Sequence, residues 1–151
     1  MKASEAMHMP EYQLVSAAAN NDMKKVKALL ADGVDISSHE PLYGRTALHA
    51  ACNQGLKKMV PFLIDAGAPL NALDDNAMTP LMCACVTGKK KGSEIALMLM
   101  DAGADVTYVR EDDEMSAISF ASWGQCSKEV MDRLIDLGAE PLPKDFKNIH
   151  V

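Results

Sequence analysis

The sequence predicts an all-α solenoid of paired antiparallel helices with extended or β-hairpin finger loops between the pairs. A helix ending recurs four times, as Leu29-Leu30-Ala31-Asp32-Gly33, Leu63-Ile64-Asp65-Ala66-Gly67, Leu99-Met100-Asp101-Ala102-Gly103 and Leu134-Ile135-Asp136-Leu137-Gly138, with the glycines 34, 36 and 35 residues apart. A period of that size implies a stack of similar units, each burying its apolar face against its neighbours. The composition agrees: 48% of residues are hydrophobic and only 5% aromatic, a palette suited to thin helices packed closely through Ala, Leu, Ile, Val and Met.

Each unit reads in the same order. A short helix of small residues comes first: Leu14 to Asn20, Ala47 to Asn53, Pro80 to Val86, and Ala117 to Trp123. Thr46 and Thr79 stand where an N-cap is needed, and Pro80 follows at the first helical position, where its missing N–H costs nothing. A longer apolar helix comes next and ends on glycine, which accepts the left-handed conformation of a helix cap. Extended segments follow at Val34-Asp35-Ile36, Ala68-Pro69-Leu70-Asn71, Ala104-Asp105-Val106-Thr107 and Ala139-Glu140-Pro141-Leu142.

These residues resemble the ankyrin-repeat family, whose unit is about 33 residues with a Thr-Pro-Leu-His-x-Ala signature. The second unit carries Gly44-Arg45-Thr46-Ala47-Leu48-His49-Ala50-Ala51-Cys52, and the third carries Thr79-Pro80-Leu81-Met82-Cys83-Ala84-Cys85 with Gly88. The first has Tyr12-Gln13-Leu14-Val15 and the last Ser116-Ala117-Ile118-Ser119 in its place, so both ends read as capping repeats. The third unit holds about three extra residues at Lys89-Lys90-Lys91-Gly92-Ser93, read as a surface turn, and the fourth about one near Gln125-Cys126. The expected layout is a leader over 1–10, a repeat domain over 11–141 (repeats about 11–41, 42–74, 75–111 and 112–141) and a tail over 142–151.

Charge and cysteine usage narrow the function. Fifteen basic against 21 acidic residues give a formal charge of −6 and a pI near 5.1, which argues against nucleic acid or an anionic membrane as partner. Cys52, Cys83, Cys85 and Cys126 lack the framework of a small secreted domain, which favours a reducing compartment. The first residues contain no signal-peptide core and no window approaches 18 uninterrupted apolar residues, so the expectation is a soluble, cytoplasmic protein.

No catalytic order, phosphate loop or metal spacing is visible, so no catalytic residue, cofactor or metal is expected. The resemblance implies that His49 hydrogen-bonds the neighbouring loop. Residues two apart on a helix diverge, so Cys83 and Cys85 read as buried filler, as does Cys52. Cys126, in a turn near Trp123, is the one thiol whose exposure and oxidation are open. The Lys89–Lys91 run reads as a solvated insertion, and Asn71 as a turn former rather than a hydroxylation site.

The resemblance implies a partner surface made of finger loops and the open side of the short helices. By position it comprises Leu42, Tyr43, Arg45, Asn53 and Gln54, then Asp75, Asn76, Met78, Val86 and Thr87, then Asp112, Asp113, Met115 and Trp123. Tyr and Trp are the types most enriched in binding hot spots. The other reading of Trp123 is a cover over the last repeat's core, beside Phe120 or Phe146. The run Glu111-Asp112-Asp113-Glu114, near Asp74-Asp75, would make one end of the groove negative and suit a partner with a basic patch. The expected function is a protein-binding adaptor or inhibitor, monomeric when free. The alternatives are an acidic, immunity-type neutraliser of a basic toxin or enzyme, and a self-assembling structural subunit.

Overall fold

The computed structural model describes residues 1–142 of the 151. Among them the helices run, in chain order, α1 (Ala3–Ala6), α2 (Pro10–Ala19), α3 (Met23–Ala31), α4 (Ala47–Gln54), α5 (Met59–Asp65), α6 (Pro80–Thr87), α7 (Lys89–Asp101), α8 (Ala117–Trp123) and α9 (Lys128–Asp136). They form four antiparallel pairs. The inner helices α2, α4, α6 and α8 stack side by side, and each outer helix packs behind its own inner helix. The sheet content expected of the finger loops reduces, among the described residues, to one antiparallel bridge, Val109 with Ser116.

Side-chain oxygens start the inner helices. Thr46 Oγ1 accepts from the His49 N–H and Thr79 Oγ1 from the Met82 N–H at 3.1 Å, and Ser119 Oγ accepts from the Ser116 N–H at 3.3 Å. The outer helices all end in one motif. At Gly33, Gly67, Gly103 and Gly138, φ lies between +92° and +102°, the glycine N–H reaches back three residues, and the following N–H reaches back five, as in Ala68 to Leu63 and Ala104 to Leu99.

The core is a pair of ladders. Leu14, Leu48, Leu81 and Ile118 hold the same position on successive inner helices and are fully buried. Behind them stand Leu63, Leu99 and Leu134 of the outer helices. Each such side chain contributes roughly 1.5–3 kcal/mol of burial. Because every rung touches only adjacent repeats, the stack extends along one axis and leaves one edge of the inner helices open.

Three local expectations are corrected. The lysine run is no surface turn: α6 ends at Thr87, Gly88 alone separates it from α7, which begins at Lys89, and the extra residues lengthen the outer helix to 13 residues. Gly92 makes this possible, since a Cβ there would stand 2.3 Å from the Ala84 carbonyl oxygen. The first inner helix, α2, starts at Pro10 rather than at the expected Leu14. The inner helices α4 and α6 each run one residue past the expected end.

Candidate partner-binding groove

Fingers and inner helices meet through His49. The Thr46 N–H donates to Nδ1 at 3.2 Å, and Nε2 lies 2.8 Å from the Met78 carbonyl of the next finger. A backbone amide can only donate and a carbonyl can only accept, so the proton sits on Nε2 and the ring is neutral. Burial pushes its pKa below the usual value, partly offset by the Met78 carbonyl and the Asp74 carboxylate. His49 is therefore a strut between repeats, as the resemblance implied.

Carboxylates hold the fingers in shape. Glu40 is buried and receives the amides of Leu42, Tyr43 and Arg45 at 2.7, 2.8 and 3.2 Å. Asp74 is buried in the next finger and receives Asn76 and Met78. In the third, Asp113 receives Met115. Asp74 thus serves its own loop and adds no surface charge, a correction to the acidic pair expected there. Glu40 escaped the sequence reading because no motif marks it. The fingers are also linked in series, with the Asp75 N–H donating to the Tyr43 carbonyl at 3.0 Å and an Arg110 guanidinium N–H contacting Met78 Sδ at 3.2 Å.

The expected partner residues divide by exposure. Tyr43, Gln54, Asp75, Asn76, Val86, Asp112, Asp113 and Trp123 are exposed. Leu42, Arg45, Asn53, Met78, Thr87 and Met115 are half-buried. Met78 and Met115 pack against the core rather than standing open along the groove. Thr87 Oγ1 lies 3.0 Å from the Cys83 carbonyl and 3.1 Å from that of Asn53, tying α6 to α4. Arg45 stacks over the Tyr43 ring at 5.1 Å, which stiffens an exposed aromatic before any partner arrives.

One row stands out. Asn53, Val86 and Trp123 are each the seventh residue of their inner helix, and adjacent stacking sets them side by side. Val86 is 49% and Trp123 72% exposed, so Trp123 does not cover the last repeat's core; Phe146 lies outside the described residues. Asn71 accepts the Asp105 N–H at 2.9 Å and bridges successive turns, in keeping with a turn-forming role.

The family described as Ankyrin repeats (3 copies) matches residues 14–110. The chain belongs to the ankyrin-repeat family. It is 33% identical over 97 residues to a probable E3 ubiquitin-protein ligase, XBOS31, of Oryza sativa subsp. japonica, covering 64% of this chain and 21% of that one. It is 33% identical over 96 residues to diacylglycerol kinase zeta of Rattus norvegicus, covering 62% and 10%. It is 33% identical over 69 residues to ankyrin repeat domain-containing protein 40 of Homo sapiens, covering 46% and 19%. The chain thus spans about a fifth or less of these relatives. Ankyrin repeats are protein–protein interaction modules and in general not catalytic, though some relatives are multi-domain enzymes that carry them. Among the described residues no helix is long and apolar enough to cross a membrane.

The ankyrin finger places a left-handed residue two positions before each inner-helix cap: Gly44, Ala77 and Glu114, with φ of +65°, +55° and +56°. An L side chain there costs about 1–2 kcal/mol. Glu114→Gly is expected to stabilise the chain by about 1 kcal/mol net of the glycine's added unfolded-state entropy. Urea unfolding checks this, and an unchanged or lowered midpoint would refute the strain.

Proposed function

We propose that this ankyrin module binds one cytoplasmic protein as an adaptor or inhibitor, along the open edge of its inner helices and finger tips. The observation that carries the reading is Trp123, the sole tryptophan of the chain, held in solvent in line with Val86 and Asn53. Tyr43 adds a second aromatic anchor at the other end of the row. The binding unit in this reading is residues 11–141, and its surface comprises the exposed members of the expected set.

The third finger sets the polarity of the partner. Glu111, Asp112, Asp113 and Glu114 are all exposed, and Arg110 pairs with only one of them, Asp113, at 3.4 Å. Such a surface suits a Lys/Arg-rich patch and makes association salt-sensitive. The same charge favours, as a narrower form, a neutraliser that masks the basic active site of an enzyme.

The test is capture from native lysate followed by titration of the purified partner. The Tyr43→Ala, Trp123→Ala double variant melts like the wild type, because both side chains are exposed. It is expected to bind about 30-fold or more weakly, the loss of one hot spot of about 2 kcal/mol. Binding to both proteins falls as salt rises. Equal affinity of wild type and double variant would move the site off this edge.

A further inference from the structure

Two thiols from different repeats meet where the fourth helix pair begins. Cys85, near the end of α6, is fully buried. Cys126, in the turn between α8 and α9, is partly exposed. Its thiol donates to the Cys85 carbonyl at 3.5 Å across 41 residues of sequence, and the two thiols sit close enough to shift each other's titration in opposite directions. The backbone enforces this approach: a Cβ on Gly124 would stand 2.0 Å from the Cys85 carbonyl oxygen.

Their surroundings differ as those of an attacking and a resolving thiol do. The neighbouring Cys85 thiol holds Cys126 below the usual thiol range, and the Ser93 hydroxyl acts in the same sense against the cost of partial burial. Cys85 is held well above that range by the neighbouring Cys126 thiol and by burial. A surface cavity of about 410 Å³ opens beside this turn, where Gln125 and Ser127, on either side of Cys126, line it together with Lys89 and Lys90 and the carboxylates of Glu94 and Glu129. Ser93 also fixes the turn, accepting the Ser127 N–H at 2.8 Å. A thiol of low pKa that small oxidants can reach, next to a second thiol, is the arrangement of a redox-sensitive pair.

We propose that Cys126 and Cys85 form a peroxide-oxidisable pair whose product is a disulfide joining the third and fourth repeats. The Cys126 thiolate attacks one peroxide oxygen. The S–O bond forms as the O–O bond breaks, and the departing hydroxide takes up the proton that the Cys126 thiol gave up and leaves as water. Cys126 is then a sulfenic acid, oxidised by two electrons. The Cys85 sulfur attacks the Cys126 sulfur, the S–S bond forms, and the hydroxyl departs as a second water with the Cys85 proton. Two thiols and one hydrogen peroxide thus give one disulfide and two waters, whatever protein docks in the groove.

The test is treatment of the whole chain with hydrogen peroxide, followed by thiol titration after denaturation. Wild type is expected to fall from four free thiols to two, to lose the mass of two hydrogens, and to yield a dithiothreitol-reversible cross-link between the Cys85 and Cys126 peptides. Emission from Trp123, three residues from Cys126, changes on oxidation and recovers on reduction. Cys85→Ala installs the residue that Ala18 supplies at the same position of the first repeat. It is expected to accumulate a Cys126 sulfenic acid that dimedone traps. Cys126→Ser is expected to keep all its remaining thiols, which tests the proposal even where Cys85→Ala does not fold. Retention of four thiols by wild type, thiol loss without the Cys85–Cys126 peptide, or equal thiol loss in Cys126→Ser would each overturn the proposal.

Discussion

Replacing Gly88 with alanine is expected to destabilise the chain by about 4 kcal/mol, from an overpacking term of roughly 1–3 kcal/mol and backbone strain of similar size. Gly88 has φ +57° and ψ −156°, a region essentially reserved for glycine. Its added Cβ would stand 1.9 Å from the Gly124 carbonyl oxygen. That oxygen also receives the Lys89 N–H at 2.9 Å, so relieving the clash means parting the third and fourth repeats and breaking a bond between them. In a chain of this size the melting temperature should fall by about 10 °C. Gly124→Ala meets the Cys85 carbonyl oxygen at 2.0 Å, but its φ of −75° suits any residue, so only the overpacking term of roughly 1–3 kcal/mol applies. Gly67→Ala is the control, because nothing lies within 4 Å of its added Cβ and only the left-handed penalty of about 1–2 kcal/mol applies. Thermal unfolding followed by circular dichroism separates the cases. Equal, small losses at Gly88 and Gly67 would show that the backbones are not in contact.

These two classes of glycine mark the boundary of what the sequence could disclose. Gly33, Gly67, Gly103 and Gly138 answer a local need, the end of the helix just before them, so their spacing shows in the chain as written. Gly124 answers a need 39 residues away, the carbonyl of Cys85, and no neighbour in sequence announces it. The same division runs through the groove. Thr46, Thr79 and the row of Asn53, Val86 and Trp123 follow from position within a repeat. Glu40 does not, because a carboxylate that gathers three amides of its own loop has the sequence signature of any surface acid. The lysine run misled for a related reason: charge marks solvent exposure, and the first turn of an outer helix is as exposed as a loop. What admits the extra helical residues is Gly92 lying against Ala84, again a contact between separate elements.

His49 joins the two kinds of information, and its removal is the second large effect expected. His49→Ala leaves the Met78 carbonyl and the Thr46 amide without their partner, at about 1–3 kcal/mol for each buried group, and opens a cavity between repeats. A total near 3 kcal/mol, about 10 °C in melting temperature, is the expected result. His49→Gln retains a side chain able to donate to Met78 and should recover part of it. The histidine also gives stability a pH signature. Its pKa is lower in the folded chain than in the unfolded one, where it titrates near 6.5. As pH falls through about 6.5 the unfolded chain therefore takes up the proton first, and stability declines until the folded-state pKa is passed. Above that window the contribution to the slope vanishes. Urea midpoints measured from neutral pH down to the onset of carboxylate titration should fall more steeply for wild type than for His49→Gln. Parallel profiles would mean that the ring takes up its proton as readily in the folded chain as in the unfolded one, which a neutral strut donating to Met78 through Nε2 and accepting from Thr46 through Nδ1 cannot do without losing one of its two bonds.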